Sequence, residues 1–204
     1  MIPKVVVFDL GKVLVDFDYS IAAAKIAARA RAGIDAQKIF SDHASILVRY
    51  ETGSIDTHSF YDEMCTATGF RGTSAEFGEF FADIFTPIHP MIELHGELRK
   101  SGLPVYIFSN TNLLAVEHIR RRFPFFSHFD GYILSYQHGA MKPDARLYEV
   151  VENQTKRSAE EILYLDDRPE NIATGKVRKW QAILHESPGQ TRAALEKIGL
   201  PPHA

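Results

Sequence analysis

Lys4-Val5-Val6-Val7-Phe8-Asp9-Leu10-Gly11-Lys12-Val13-Leu14 decides how the rest of the chain is read. The apolar, mostly β-branched run over residues 4–8 predicts a strand that ends on a carboxylate. A tight glycine-containing turn and a short second extended piece over 13–15 follow. Three later segments are built to meet Asp9: Ser109 after Val105-Tyr106-Ile107-Phe108, then Lys142-Pro143, then Asp166-Asp167 after Ile162-Leu163-Tyr164-Leu165. Three of the four close short apolar runs. Together they describe one polar site at the carboxyl edge of a parallel sheet.

Outward from that frame the pattern alternates. Helices are expected near 91–100, 113–123, 145–155 and 171–179, and strands at 105–108, 131–134, 162–165 and 182–184. This spacing implies an α/β fold, a Rossmann-like doubly wound parallel sheet covered by helices on both faces. Residues 17–88 differ. Ile21 to Arg31 is alanine-rich, Ala44 to Tyr50 is apolar at helical spacing, Asp56 precedes a helix start, and Ser74 opens a helix running toward Phe85. No strand is expected there. The stretch reads as a small α-helical insertion, leaving 1–16 and 89–204 to form the α/β core. Phe77, Phe80, Phe81 and Phe85 are expected to be its core rather than a substrate platform.

With 204 residues, the chain can hold one core plus a small appended domain. Its net charge of -3 creates no basic field to attract nucleic acid or anionic lipid, and Arg120-Arg121-Arg122 is expected at a solvated helix end. Cys65 is the single cysteine, which rules out an intrachain disulfide and suits a reducing compartment. The sequence has neither the apolar stretch of a signal peptide nor a membrane-length apolar run, so a cytoplasmic protein is expected.

Asp9, Asp166 and Asp167 on one site would repel by about 4 kcal/mol per pair at about 4 Å and an effective dielectric of about 20. A hard divalent cation such as Mg2+ relieves this, since it takes carboxylates together with phosphate and water. The nine scattered histidines offer no zinc cluster. With a phosphate against the ion, Ser109 can donate its hydroxyl and Lys142 a compact positive charge, and the amides of Leu10-Gly11-Lys12 can form an anion nest. Asp9 is then the attacking group, able to form an aspartyl-phosphate. Each residue also has a structural reading: Asp9 as a turn residue, Ser109 in a plain loop, Lys142 solvated, Asp166-Asp167 capping the next helix.

Phe8-Asp9-Leu10-Gly11-Lys12-Val13-Leu14, Ser109-Asn110-Thr111-Asn112, Met141-Lys142-Pro143-Asp144 and Leu165-Asp166-Asp167-Arg168-Pro169-Glu170-Asn171 resemble the four motifs of the haloacid dehalogenase (HAD) superfamily. The resemblance spans nearly the whole chain. It extends, through Tyr50-Glu51-Thr52-Gly53-Ser54-Ile55 and the segment 134–143, to the phosphatase branch with a helical cap after the first motif, where α-D-glucose-1-phosphate phosphatases belong. It implies Asp9 as nucleophile and Mg2+ held by Asp9, the Gly11 carbonyl and Asp167, with Asp166 directly or one layer behind. It also implies a phosphoryl group bound by Ser109, Asn110, Lys142 and the Leu10 and Gly11 backbone, with Lys142 orienting Asp9.

Gly11 departs from the usual pattern, in which an aspartate two residues after the nucleophile serves as acid and base. A positioned acid or base is worth about 10² to 10⁴ in rate. Leaving groups that need little protonation, such as anomeric sugar phosphates or aryl phosphates, are therefore expected to be favoured. Lys12 is either a solvated turn residue or an extra cation near the phosphate. Tyr50 and Glu51 either end a cap helix or reach the leaving group.

The leading expectation is a Mg2+-dependent phosphatase of a small phosphorylated metabolite, sugar phosphate favoured. The alternatives are a carbon–halogen hydrolase, which needs no Mg2+, and a catalytically weak phospho-ligand-binding protein. Phosphonate cleavage would need a Schiff-base lysine, and nothing marks Lys25 or Lys38 as one.

Overall fold

The computed structural model describes residues 2–200; the outer ends of the two expected core segments, residue 1 and residues 201–204, lie outside the described residues. Five parallel strands form the central sheet: β1 (Val5–Phe8), β4 (Val105–Ser109), β5 (Gly131–Leu134), β6 (Ile162–Asp166) and β7 (Gln181–Leu184). Their order is β5-β4-β1-β6-β7. The chain leaves β1 toward one edge and later returns to the other, so the switch point falls at β1.

Alternation along β1 explains why both faces are covered. Val6 and Phe8 join Ile107, Leu163 and Leu165 in one apolar cluster, with Met91, Leu94 and Leu98 of α6 (His89–Lys100) and Val116 and Ile119 of α7 (Leu113–Arg122). Val5 and Val7 face the other way, toward Leu147, Tyr148 and Val151 of α8 (Ala145–Thr155) and Ile172 of α9 (Pro169–Val177). Such continuous burial is what a strand between two helical layers requires.

Between the first turn and α6 lie β2 (Val15–Phe17), α1 (Tyr19–Ala27), α2 (Ile39–Asp42), α3 (Ala44–Glu51), α4 (Thr57–Thr68), α5 (Ser74–Ala82) and β3 (Phe85–Pro87). Asp56 caps α4 by accepting from the Ser59 N–H at 2.8 Å, and Thr73 and Glu76 form a reciprocal capping box on α5. The helices close on Tyr50, Phe60, Phe77 and Phe81, with the Tyr50 and Phe60 rings stacked at 4.3 Å. Such an aromatic pair adds about 0.5–1.5 kcal/mol beyond its area burial.

Two features differ from the sequence expectation. β2 and β3 pair antiparallel, with Phe17 opposite Phe85, and carry the chain out to the helices and back. Strands of three residues are too short to show alternation. Phe85 therefore sits in the ribbon rather than among the insertion's core aromatics. A last helix, α10 (Pro188–Glu196), which the sequence reading leaves unassigned, packs Leu195 into the first cluster. Among the described residues, no helix is long and apolar enough to cross a membrane.

Candidate functional site

Asp9, Ser109 and Asp166 sit at the carboxyl ends of the three adjacent strands β1, β4 and β6, and Asp167 follows directly. Register brings them together: Phe8 is level with Ile107 on one side and Leu165 on the other, and the Asp9 N–H donates to the Leu165 carbonyl at 2.8 Å. Asp9, Ser109 and Asp167 line a cavity of about 430 Å³ together with Leu10, Gly11, Asn110 and Lys142, and Asp166 is buried behind them. The four separated segments thus converge.

Lys142 comes up from the loop before α8 and is almost completely buried. Its ammonium donates to the Phe108 carbonyl at 2.8 Å and to Asp166 Oδ2 at 2.6 Å, and lies 3.0 Å from Asp9 Oδ1. An ammonium has three N–H donors, and these three partners account for them. Burial opposes its charge, but the Asp166 and Asp9 carboxylates outweigh this and raise its pKa. Asn110 fixes the loop from the other side. Its carbonyl oxygen accepts from the Lys142 N–H at 2.7 Å, and its amide nitrogen donates to the Lys142 carbonyl at 3.0 Å.

The three carboxylates are not equivalent. Asp166 accepts from Lys142, from the Tyr164 hydroxyl at 2.5 Å, from the Arg168 N–H at 2.8 Å and from the Asn171 amide at 3.0 and 3.2 Å. Burial works against its charge, yet Lys142 and these donors hold its carboxyl below the usual range. Among the described residues, Asp9 accepts only from Leu10 N–H, at 2.7 Å, and from Lys142. Its carboxyl is pushed up to about 7 by burial, with Lys142 opposing and Asp166 adding to the rise. Burial and the Asp166 charge also raise Asp167, which is half-exposed toward the cavity.

One oxygen from each of Asp9, Asp166 and Asp167 lies within 4.8 Å of the others. One ammonium pairs with two of these three carboxylates, which leaves a donor set of hard oxygens with excess negative charge. That fits a divalent cation of the Mg2+ kind.

Gly11 has no side chain to offer, and the structure fills its place. A Cβ there would fall 2.9 Å from Phe17 Cε1. The Phe17 ring is held edge-on by Tyr19 at 5.7 Å and Phe85 at 6.3 Å. Lys12, at a φ of 59°, pairs with Asp16 and donates to the Phe17 carbonyl at 3.2 Å, and its ammonium sits 4.7 Å above the Phe17 ring. Its contacts make it a lock on the turn.

The cavity is also lined by Phe17, Tyr19, Leu47, Glu51 and Phe85 from between the first turn and α6, with Asn112 and Ile119 from the core. Tyr50, in contrast, is buried; its oxygen accepts from the Leu114 N–H at 3.2 Å and bonds Thr57. Sequence reasoning missed Phe17, Asn112, Ser135, Tyr164 and Asn171. Asn112 and Asn171 carried a signal, as the last residues of the Ser109 and Asp166-Asp167 motifs, and Ser135 lies in the segment 134–143.

A model of haloacid dehalogenase-like hydrolases matches residues 3–177. The chain belongs to that family. This HAD-like hydrolase is 27% identical over 177 residues to a sesquiterpene phosphatase of Aspergillus oryzae, covering 83% of each chain. It is 26% identical over 202 residues to a D-ribitol-5-phosphate phosphatase of Bacteroides thetaiotaomicron, covering 96% of this chain and 98% of that protein. A solved HAD-family enzyme of B. thetaiotaomicron superposes with a TM-score of 0.82 at 20% identity, covering 96% of this chain and 99% of that one. A complex of the B. thetaiotaomicron enzyme with magnesium and inorganic phosphate superposes at 0.78, also at 20% identity, with 89% and 93% covered.

Proposed function

We propose that this HAD-like hydrolase is a Mg2+-dependent phosphatase of a small phosphorylated metabolite, acting through an aspartyl-phosphate on Asp9. The observation that carries the reading is the Asp9–Lys142–Asp166 arrangement beside a half-exposed Asp167. It combines a nucleophilic carboxylate, a fixed cation and a carboxylate cluster that suits a divalent ion. The two phosphatases among its sequence relatives support it.

Asp9 and Asp167 would hold the cation with the Gly11 carbonyl, while Asp166 stays one layer behind because its oxygens are already taken. When bound, Mg2+ would neutralise the carboxylates and the phosphoryl oxygens. Lys142 keeps Asp9 ionised and aimed into the cavity. Ser109 and the Leu10–Gly11 backbone would donate to the phosphoryl group, and Asn110 would act by holding the Lys142 loop. Asp9 Oδ attacks phosphorus as the ester bond breaks, and water then releases phosphate. The helices between β2 and β3 act as a cap that covers the site.

Sugar phosphates are the favoured substrates, a reading supported by the D-ribitol-5-phosphate phosphatase relative. A second class, phosphates of apolar alcohols, is supported by the Phe17, Tyr19, Leu47 and Phe85 wall and by the sesquiterpene phosphatase relative. A phosphate-release screen over both classes with Mg2+ tests the reading, with Asp9→Asn as the blank. Activity lost to EDTA and restored by Mg2+ is expected. EDTA-resistant halide release from haloacids without phosphate release would support the dehalogenase alternative.

A further inference from the structure

Any ester whose departing oxygen must be protonated needs an acid in the cavity, and position 11 cannot supply one. The obstacle is more than a missing side chain, because the Phe17 ring occupies the space into which that side chain would extend. Asp9, Asp166 and Asp167 form the carboxylate cluster beneath the phosphoryl position. One further carboxylic acid lines the cavity, Glu51 at the end of α3.

The core holds Glu51 at both ends. Its backbone carbonyl accepts from the Ser135 hydroxyl at 2.6 Å, and the Ser135 oxygen in turn accepts from the Thr111 N–H, in the loop after β4, at 2.9 Å. The Asn112 side chain lies beside the Glu51 carboxylate, and the Asn112 oxygen caps α7 by accepting from Ala115 N–H at 3.0 Å. Burial raises the Glu51 carboxyl to about 7, with Asn112 opposing. The Tyr19 phenol faces it from α1. The other charged groups of the cavity, Lys12, Arg168 and the Lys142–Asp cluster, belong to the core side. An acid near neutrality, held by its backbone to the core and lining the same cavity as the nucleophile, is poised to give and take a proton at working pH.

We propose, on the phosphatase reading above, that Glu51 is the acid and base of this site, supplied from the cap in place of residue 11. In the first step the Asp9 Oδ–P bond forms and the P–O bond to the leaving group breaks. The Glu51 proton passes to the departing oxygen, releasing an alcohol. In the second step water attacks phosphorus, its proton passes to the Glu51 carboxylate, and the Asp9 Oδ–P bond breaks. Phosphate leaves and Glu51 is again protonated.

The test compares p-nitrophenyl phosphate, whose leaving group needs no proton, with an alkyl phosphate, using the full chain with Mg2+. In Glu51→Gln, first-turnover cleavage of the alkyl ester is expected to fall about 10² to 10⁴-fold, while release of the first nitrophenolate stays within about threefold of wild type. Later aryl turnovers slow, giving a burst of one equivalent. Equal first-turnover losses on both esters, a change in KM alone, or unchanged alkyl turnover would each overturn the proposal. Glu51→Asp keeps the acid on a shorter arm and is expected to retain the aryl–alkyl ratio of wild type, which keeps the test decisive if Glu51→Gln does not fold. A wild-type protein that releases phosphate from no ester would instead overturn the phosphatase reading itself.

Discussion

The Lys142 ammonium lies 3.0 Å from Asp9 Oδ1, and both side chains are buried at the cavity floor. Asp166 takes the same ammonium from the other side at 2.6 Å. Removing it strands two carboxylates. Lys142→Met, which keeps the volume, is expected to cost about 3–5 kcal/mol in urea unfolding at neutral pH. Phosphate release is expected to fall by at least about 10²-fold, since Asp9 loses the charge that keeps it ionised and aimed. A variant as stable and active as wild type would remove Lys142 from the account.

Gly11→Asp does not simply restore a missing acid. The new Cβ would meet the Phe17 ring at 2.9 Å, and Tyr19, Phe85 and Lys12 hold that ring. The single variant is expected to lose about 1–3 kcal/mol through overpacking and to gain no activity on alkyl esters. Adding Phe17→Ala opens the space and is expected to recover part of the stability. Thermal melts of the single and double variants check this.

Ser135 joins three segments through one buried hydroxyl: the Thr111 N–H donates to it, and it reaches the Glu51 and Thr111 carbonyls at 2.6 and 3.0 Å. Ser135→Ala leaves the Thr111 N–H without its acceptor, at an expected cost of about 1–3 kcal/mol. It also frees the end of α3, so turnover is expected to fall while Asp9 and its carboxylate cluster stay intact. Unfolding curves and Mg2+ titration of the same variant check both halves.

Stability should respond to pH from two directions. Burial lowers the pKa of His95, His118, His138 and His185 below 6.5, so the unfolded chain binds protons that the folded one does not. Their contribution is complete above 6.5 and is lost as pH falls toward the folded values. Glu51 has the opposite sign. With its folded pKa raised from 4.5 to about 7, its contribution is complete below 4.5 and lost as pH rises through 7. Glu51→Gln is therefore expected to be more stable than wild type at about pH 8 and to lose that advantage at about pH 5. Urea midpoints across this range check both signs.

Much of this was legible in the sequence because strand ends and chemistry coincide. Val5–Phe8 is buried on both faces, and that burial shows as an unbroken apolar run, so Asp9 could be placed before any contact was known. The same holds for Asp166 after Ile162–Leu165, and for the helix over 145–155, which matches residue for residue. The ribbon of β2 and β3 was hidden by its length. Phe17 was hidden because its role is steric, filling space that depends on where the turn carries Gly11. Glu51 was named with its neighbour Tyr50, yet only the fold separates them: Tyr50 packs on Phe60, while Glu51 faces the cavity. Local pattern carries no record of such convergence across some sixty residues, as from Glu51 to Asn112.

The central claim is that Asp9 becomes phosphorylated. Acid quenching during turnover of a hydrolysed phosphate ester with Mg2+, followed by peptide mass spectrometry, tests it most directly. A phosphoryl adduct on the peptide containing Asp9, absent from Asp9→Asn, is the predicted result. Undiminished phosphate release by Asp9→Asn, or an active wild type whose phosphoryl adduct sits on another residue, would contradict it.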